Sequence, residues 1–199
     1  MSKKKRRICA FTAAIILVGL GYWRYRAINK RFAEFSDNQT VFYSRDTVLP
    51  FGEDYLDYNQ QASGYTIAVT DYRILDYAAF CKESGFQSEG EKMLPDRVAL
   101  VTVTLCNAAG GEPGVALSNI LLHGVDFNLG LNWDMLEYLN PILEGYMGIS
   151  LPQGETYTLV LPYGAFKERF NSRTWNRFDE TPLYLKVTSY PTEKNIVIQ

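Results

Sequence analysis

Histidine is almost missing from this chain: His123 is the only one in 199 residues. A Ser-His-Asp triad needs an imidazole beside its nucleophile and a multi-histidine metal centre needs several, so one His inside ILLHGV builds neither. It reads as a structural side chain. A phosphate-cradling loop is missing too. Gly110-Gly111 is followed by neither the Lys-Ser/Thr pair nor the further glycine of such loops, and marks a turn. No acidic stretch has EF-hand spacing. The densest, Gly52 to Tyr58 (GEDYLDY), sets Glu53, Asp54 and Asp57 close enough for a calcium loop or a glycosidase-type carboxylate pair, but a solvated acidic loop is the simpler reading. Catalytic residues, metal ligands and cofactors are therefore not assigned, and the chain is not expected to be an enzyme.

Cysteine is scarce. Of three, Cys9 lies in the apolar N-terminal run, which leaves Cys81 and Cys106. In an oxidising space these two can pair, Cys106 ending a strong strand; the alternative is two separate packed thiols, with Cys81 in the loop-like FCKESGF. Positive charge is scarce beyond the N-terminal region. Nine of the 20 basic side chains and one of the 22 acidic ones precede Ser36, so residues 36–199 carry 11 basic and 21 acidic groups, net −10. Such a domain repels nucleic-acid phosphate, and nucleic-acid binding is excluded.

Only one stretch is long and apolar. Residues 8–23 hold no charged side chain and as a helix would reach roughly 24 Å, against ~30 Å of hydrocarbon. The stems of Lys5, Arg6 and Arg7 on one side and of Arg24 and Arg26 on the other cover the shortfall, with Tyr22 and Trp23 at the boundary. No A-x-A site follows the run and no lipid-accepting cysteine ends it, so it reads as an uncleaved signal-anchor. The expected organisation is a basic cytoplasmic tail 1–7, a transmembrane segment 8–23, a juxtamembrane helix and linker 24–40, and an extracytoplasmic domain 41–199. The basic end and the length of the following domain put the N-terminus inside a cell membrane crossed once.

Strand signals dominate the domain. Gly64 to Leu75 (GYTIAVTDYRIL) and Arg97 to Leu105 (RVALVTVTL) are the strongest, and Val41–Tyr43, Asn119–Leu129, Gly148–Leu151, Thr156–Leu161, Leu183–Tyr190 and Asn195–Ile198 follow. Val101, Val103, Leu105, Leu159, Leu161, Leu185 and Val187 are the expected core. Short strands between Gly, Pro and Asn turns predict a mainly β protein of β-sandwich type. Two short helical passages interrupt it. Leu131 to Leu139 places Leu131, Met135 and Leu139 on one face behind Asn132 as cap, stopped by Pro141. In Ala165 to Phe178, Phe166 and Phe170 pair one turn apart and Ser172 caps a turn carrying Trp175 and Phe178.

The segments Arg97–Asn107 (RVALVTVTLCN), Leu151–Leu161 with Pro162-Tyr163 (LPQGETYTLVLPY) and Leu183–Pro191 (LYLKVTSYP) resemble the strand ending in Asn, the Pro-x-Gly-Glu turn with its strand, and the last strand of membrane-tethered immunoglobulin-like domains in Gram-positive bacteria. More closely, the chain is similar to an uncharacterised family of bacterial single-pass proteins, a domain of unknown function. The resemblance implies an immunoglobulin-like β-sandwich at the bacterial cell surface and supplies no catalytic residue.

The functional expectation is a membrane-anchored extracytoplasmic binding or interaction module for a protein or cell-envelope partner. Alternatives are an accessory subunit of a membrane transporter or sensor, and an envelope polysaccharide hydrolase using Glu53, Asp54 or Asp57, with Glu155 or Asp126. The segment Asn132 to Tyr146 sets Trp133, Tyr138 and Tyr146 beside Asp134, Glu137 and Glu144. Of these, Trp133, Glu137, Tyr138 and Tyr146 are the candidate binding residues, against the competing reading that the segment caps one end of the sandwich.

Overall fold

The two strongest strand signals pair with each other. In the computed structural model, which describes residues 17–26, 39–55, 62–88, 93–109, 114–143 and 145–199, β3 (Tyr65–Asp76) and β4 (Arg97–Asn107) run antiparallel from Tyr65↔Asn107 to Asp76↔Arg97. The register shifts between Val69 and Asp71. That extra residue flips the alternation, so Tyr65, Ile67 and Val69 face the core before it and Tyr72 and Ile74 after it. β4 has no such shift and is buried on both faces in its first half: Ala99 and Val101 face the main core, and Val98 and Leu100 a second cluster with Phe80, Phe86 and Met135. This is why RVALV reads as one apolar run instead of alternating.

The remaining strands are β1 (Gln39–Tyr43), β2 (Leu49–Pro50), β5 (Val115–Ala116), β6 (Leu121–His123), β7 (Asn128–Leu129), β8 (Gly148–Ile149), β9 (Thr156–Ala165), β10 (Tyr184–Lys186) and β11 (Thr192–Val197). They form a four-stranded sheet β2-β3-β4-β9, a five-stranded sheet β1-β11-β10-β6-β7 and the small pair β5-β8. Among the described strands only β1 with β11 is parallel; the other pairs are antiparallel. Both large sheets contribute to one core, and all seven expected core residues are buried in it. The protein is mainly β, with short helices at Tyr77–Ser84, Trp133–Leu139 and Ser172–Asn176.

Several expectations are corrected. Asn119–Leu129 is not one strand: β6 and β7 form a hairpin in which Gly124 N–H bonds Phe127 O, and a Cβ on Gly124 would sit 2.7 Å from the Phe127 ring. FCKESGF is helical up to Ser84 and ends at Gly85 in the left-handed region, φ 76°. Asn171, not Ser172, caps the Trp175 turn by accepting from Thr174 N. Phe166 is extended ahead of a 3-10 turn, so Phe170 packs on Phe127, Trp175 and Phe178 instead. Of the two readings of the cysteines, the structure has separate free thiols at Cys81 and Cys106. Cys81 follows the Asp76 end of the hairpin while Cys106 pairs with Thr66 at the other, about 30 Å along β4 at ~3.3 Å per residue.

The chain divides into two units, 1–38 and 39–199. In the first, residues 17–26 are helical and exposed, with Arg26 over the Tyr22 ring. Among the described residues no helix is long and apolar enough to cross a membrane. The expected tail, residues 8–16 of the expected span and 27–38 of the juxtamembrane segment lie outside the described residues.

In the second unit the chain arrives at Gln39, whose N–H bonds Pro191 O. At this end Phe51 N–H bonds Tyr65 O, and the Lys194 ammonium bridges the sheets, donating to Phe51 O (2.7 Å), Pro50 O (3.3 Å) and the Asp54 carboxylate (2.6 Å). Three acceptors satisfy a cation that burial alone would penalise. They also occupy Asp54, one of the acidic-cluster residues. Glu53 is exposed, and Asp57 lies outside the described residues.

Candidate functional site

Toward the end of this unit away from Gln39, β7 is the last strand of the five-stranded sheet and β9 of the four-stranded one, and an antiparallel bridge between Leu131 and Tyr163 joins the two. Asn128 of β7 stands opposite His123, which pairs through Tyr184 with Val197, whereas Gln39 pairs with Thr192 at the start of β11. A bare β9 edge would offer unpaired backbone groups, and the helix Trp133–Leu139 is laid along it. Asn132 N–H bonds Pro162 O, where proline leaves only an acceptor to satisfy. The Asn140 side chain acts as a substitute peptide, accepting from Val160 N–H (2.9 Å) and donating to Val160 O (2.8 Å). Asn132 Oδ1 caps the helix by accepting from Met135 N–H, as its sequence position predicts.

Pinning the helix there leaves a cleft of about 500 Å³ beside the junction of β7 and β9. Its walls include Phe127 and Leu129 from the β6-β7 hairpin, Trp133 from the helix, and Phe166 and Phe170 after β9. The rim carries opposite charges, Asp134 on the helix and Arg169 on the 3-10 turn. Both are exposed, and neither makes an ion pair among the described residues. The Arg169 guanidinium lies over the Phe166 ring, 4.7 Å from its centre. A second depression of about 660 Å³ shares Phe166 and Phe170 with the first and includes Met93, Leu94 and Lys167.

The wall is anchored from behind. Lys167 N–H bonds the Asp96 carboxylate at 2.7 Å. Arg97 reaches Asp179 at 3.0 Å while its guanidinium covers Trp175 at 4.8 Å, fastening the 166–180 excursion to the end of β4. Tyr163, wholly buried, donates to Ile120 O, and burial holds its phenol well above the usual tyrosine range. It ties β9 to the β6 side of the core and stays neutral.

Of the four candidate residues, the structure brings only Trp133 to this cleft. Tyr138, on the next turn, donates to Ser84 O and sets its ring edge-on to Phe86, docking the two helices together. Glu137 is exposed beside it. Tyr146 is remote, 71% exposed, and joins Ile142 and Met147 around a third depression next to β5 and β8. Phe166, Arg169 and Phe170 were not singled out for binding from sequence. Their signal was a composition shift: in an acidic domain, Lys167, Arg169, Arg173 and Arg177 crowd into one stretch.

The carboxylates of the alternative hydrolase reading do not meet among the described residues: Asp54 is held by Lys194, Asp126 lies by Thr174, and Glu155 follows the turn before β9. No group of three His, Cys, Asp or Glu side chains able to hold a metal occurs among the described residues. His123 joins a polar chain on the five-stranded sheet. Its Nε2 lies 2.9 Å from Asn195 Oδ1, Asn195 donates to Glu193, and Glu193 pairs with Lys186.

Residues 40–194 match the family described as Domain of unknown function (DUF5028). No curated protein matches the chain. Among solved structures, that of a functionally unknown protein from Listeria monocytogenes EGD-e is 12% identical and aligns over 68% of this chain and 76% of that one with a TM-score of 0.42.

Proposed function

We propose that this chain, which belongs to the DUF5028 family, is a membrane-anchored, extracytoplasmic binding module of the Gram-positive cell surface, and that its ligand site is the β7–β9 cleft. The observation that carries the reading is the cleft: aromatic walls and opposite rim charges, toward the end of the domain opposite the one where the chain arrives. Recognition residues on a rigid two-sheet frame are placed in this way in many unrelated binding domains.

An immunoglobulin-like sandwich is supported by strand order. With β3, β4 and β9 as strands A, B and E, and β6, β10 and β11 as C, F and G, the sheets read A-B-E and C-F-G, with β7 extending the second beyond C. The helix Trp133–Leu139 and β8 stand where a D strand would run. A single-pass anchor with its N-terminus inside is supported by the uncharged run at residues 8–23 and the basic residues before it.

The test is recovery of the full-length protein from its native membrane, with and without reversal of both rim charges by Asp134→Lys and Arg169→Glu. Both side chains are exposed, so the melting temperature should fall only slightly, through the loss of the Asp134 charge at the start of its helix. A specific partner should be lost from the reversed variant. Retention of every partner at wild-type levels would contradict the assignment of the cleft.

A further inference from the structure

Three places outside the core offer a ligand something to hold: the uncharged depression around Ile142, Tyr146 and Met147, the polar chain from His123 to Lys186, and the cleft. In the polar chain each member already has a partner. The uncharged depression shows nothing that decides what would cover it. Of these three, the cleft alone combines size, aromatic walls and charge of both signs that makes no ion pair among the described residues.

We propose that the cleft binds a short apolar peptide as a zwitterion, with its carboxylate at Arg169, its ammonium at Asp134 and an apolar side chain among Trp133, Phe166 and Phe170. This deepens the reading above and rests on it. The volume suits a ligand of small-molecule or short-peptide size. A purely apolar ligand would strip water from Asp134 and Arg169 without replacing its hydrogen bonds, and a ligand of single charge would satisfy one rim group and repel the other. A dipolar one satisfies both. The guanidinium is a fork that matches a carboxylate, and its place over the Phe166 ring holds it at the rim in advance.

The strand edge adds a reason for a peptide. Gly124 N–H bonds Phe127 O, so in the antiparallel β6-β7 pair Leu129 directs its backbone groups toward β6, while Asn128 and Gly130 direct theirs away. Both line the cleft. Leu131 bridges Tyr163 of β9, so the Gly130 end of this edge already faces β9, and a short peptide would add its main-chain hydrogen bonds at Asn128. A Cβ built on Gly130 meets no atom within 4 Å, which leaves room for a ligand backbone to approach.

The experiment uses the full chain in lipid nanodiscs and the probes Phe-Leu and Phe-Ala-Leu, each with free ends, N-acetylated, and C-amidated, with affinity read by calorimetry. Both free-ended peptides should bind, and either cap should weaken binding about tenfold. The decisive readout is the cycle with Asp134→Asn and Arg169→Gln. N-acetylation should cost nothing further in Asp134→Asn but still tenfold in Arg169→Gln, and amidation the reverse. Failure of both free-ended peptides to bind at ~10 mM, or cap penalties that persist unchanged in the matching variant, would overturn the inference. If the rim reversal still removes a native partner in that case, only the ligand class fails and the binding-module reading stands. If neither peptide nor partner depends on the rim, both fall.

Discussion

Asn140 shows how one side chain can finish a sheet. It is 4% exposed, and its amide makes both hydrogen bonds that the Val160 peptide would otherwise seek from a further strand. Asn140→Ala should lower stability by about 1–3 kcal/mol, because buried backbone groups lose their partners; urea denaturation measures it, and a change within error would deny the role. Glu193 makes a pH prediction. Partial burial works to raise its pKa, but hydrogen bonds from Asn195 and Lys186 and the charges of Lys186 and His123 outweigh that and hold it below the ordinary glutamate value. A lowered folded pKa means a contribution that is complete above the unfolded pKa, about 4.3, and is lost as pH falls through the folded one. Glu193→Gln should therefore flatten the fall of melting temperature at pH below about 5. The same acid loss in variant and wild type would refute it.

The helix Trp133–Leu139 is the element on which the candidate site turns, and it has two faces with different duties. Trp133 and Asp134 border the cleft, while Tyr138 packs on Phe86 and donates to Ser84 O. Replacing Tyr138 and Glu137 by Ala and Lys should cost about 1–2 kcal/mol of stability and leave the cleft's affinity for a ligand unchanged. Loss of binding at unaltered stability would move recognition to that face. The helix itself was legible in sequence because its signals are local: a capping Asn132, apolar positions a turn apart, and Pro141 as a stop. What it packs against was not. The Asn140–Val160 contact joins residues far apart in the chain, and no local pattern encodes which sheet edge a helix will cover. The short strands β2 and β5 escaped for a related reason: two residues have no periodicity, and pairing alone makes them strands. The helix Tyr77–Ser84 was read as loop because Cys-Lys-Glu-Ser-Gly is polar, although its single fully buried side chain, Phe80, suffices to seat it on β4's outer face. For the candidate site, Trp133 was accessible to sequence reasoning and Phe166, Arg169 and Phe170 were not, since the chain's return after β9 is what gathers them.

At the scale of the whole molecule the domain has direction. The chain arrives at Gln39 at one end, where Lys194 ties the two sheets together, and the cleft opens toward the other, beside the bridge that joins the β7 segment to β9. Residues 36–199 carry a net charge of −10, and among their cations Arg169 lines the cleft and Lys167 the adjoining depression, neither with an ion-pair partner among the described residues. The central claim, recognition outside the membrane through that cleft, is tested most directly by placing a photo-crosslinking amino acid at position 134 and, as control, at position 146 in the full-length protein, then irradiating intact cells. The account predicts a discrete adduct from position 134 that externally added protease can digest, with no matching adduct from position 146. An adduct that is protected from the protease, or one formed only from position 146, would contradict it.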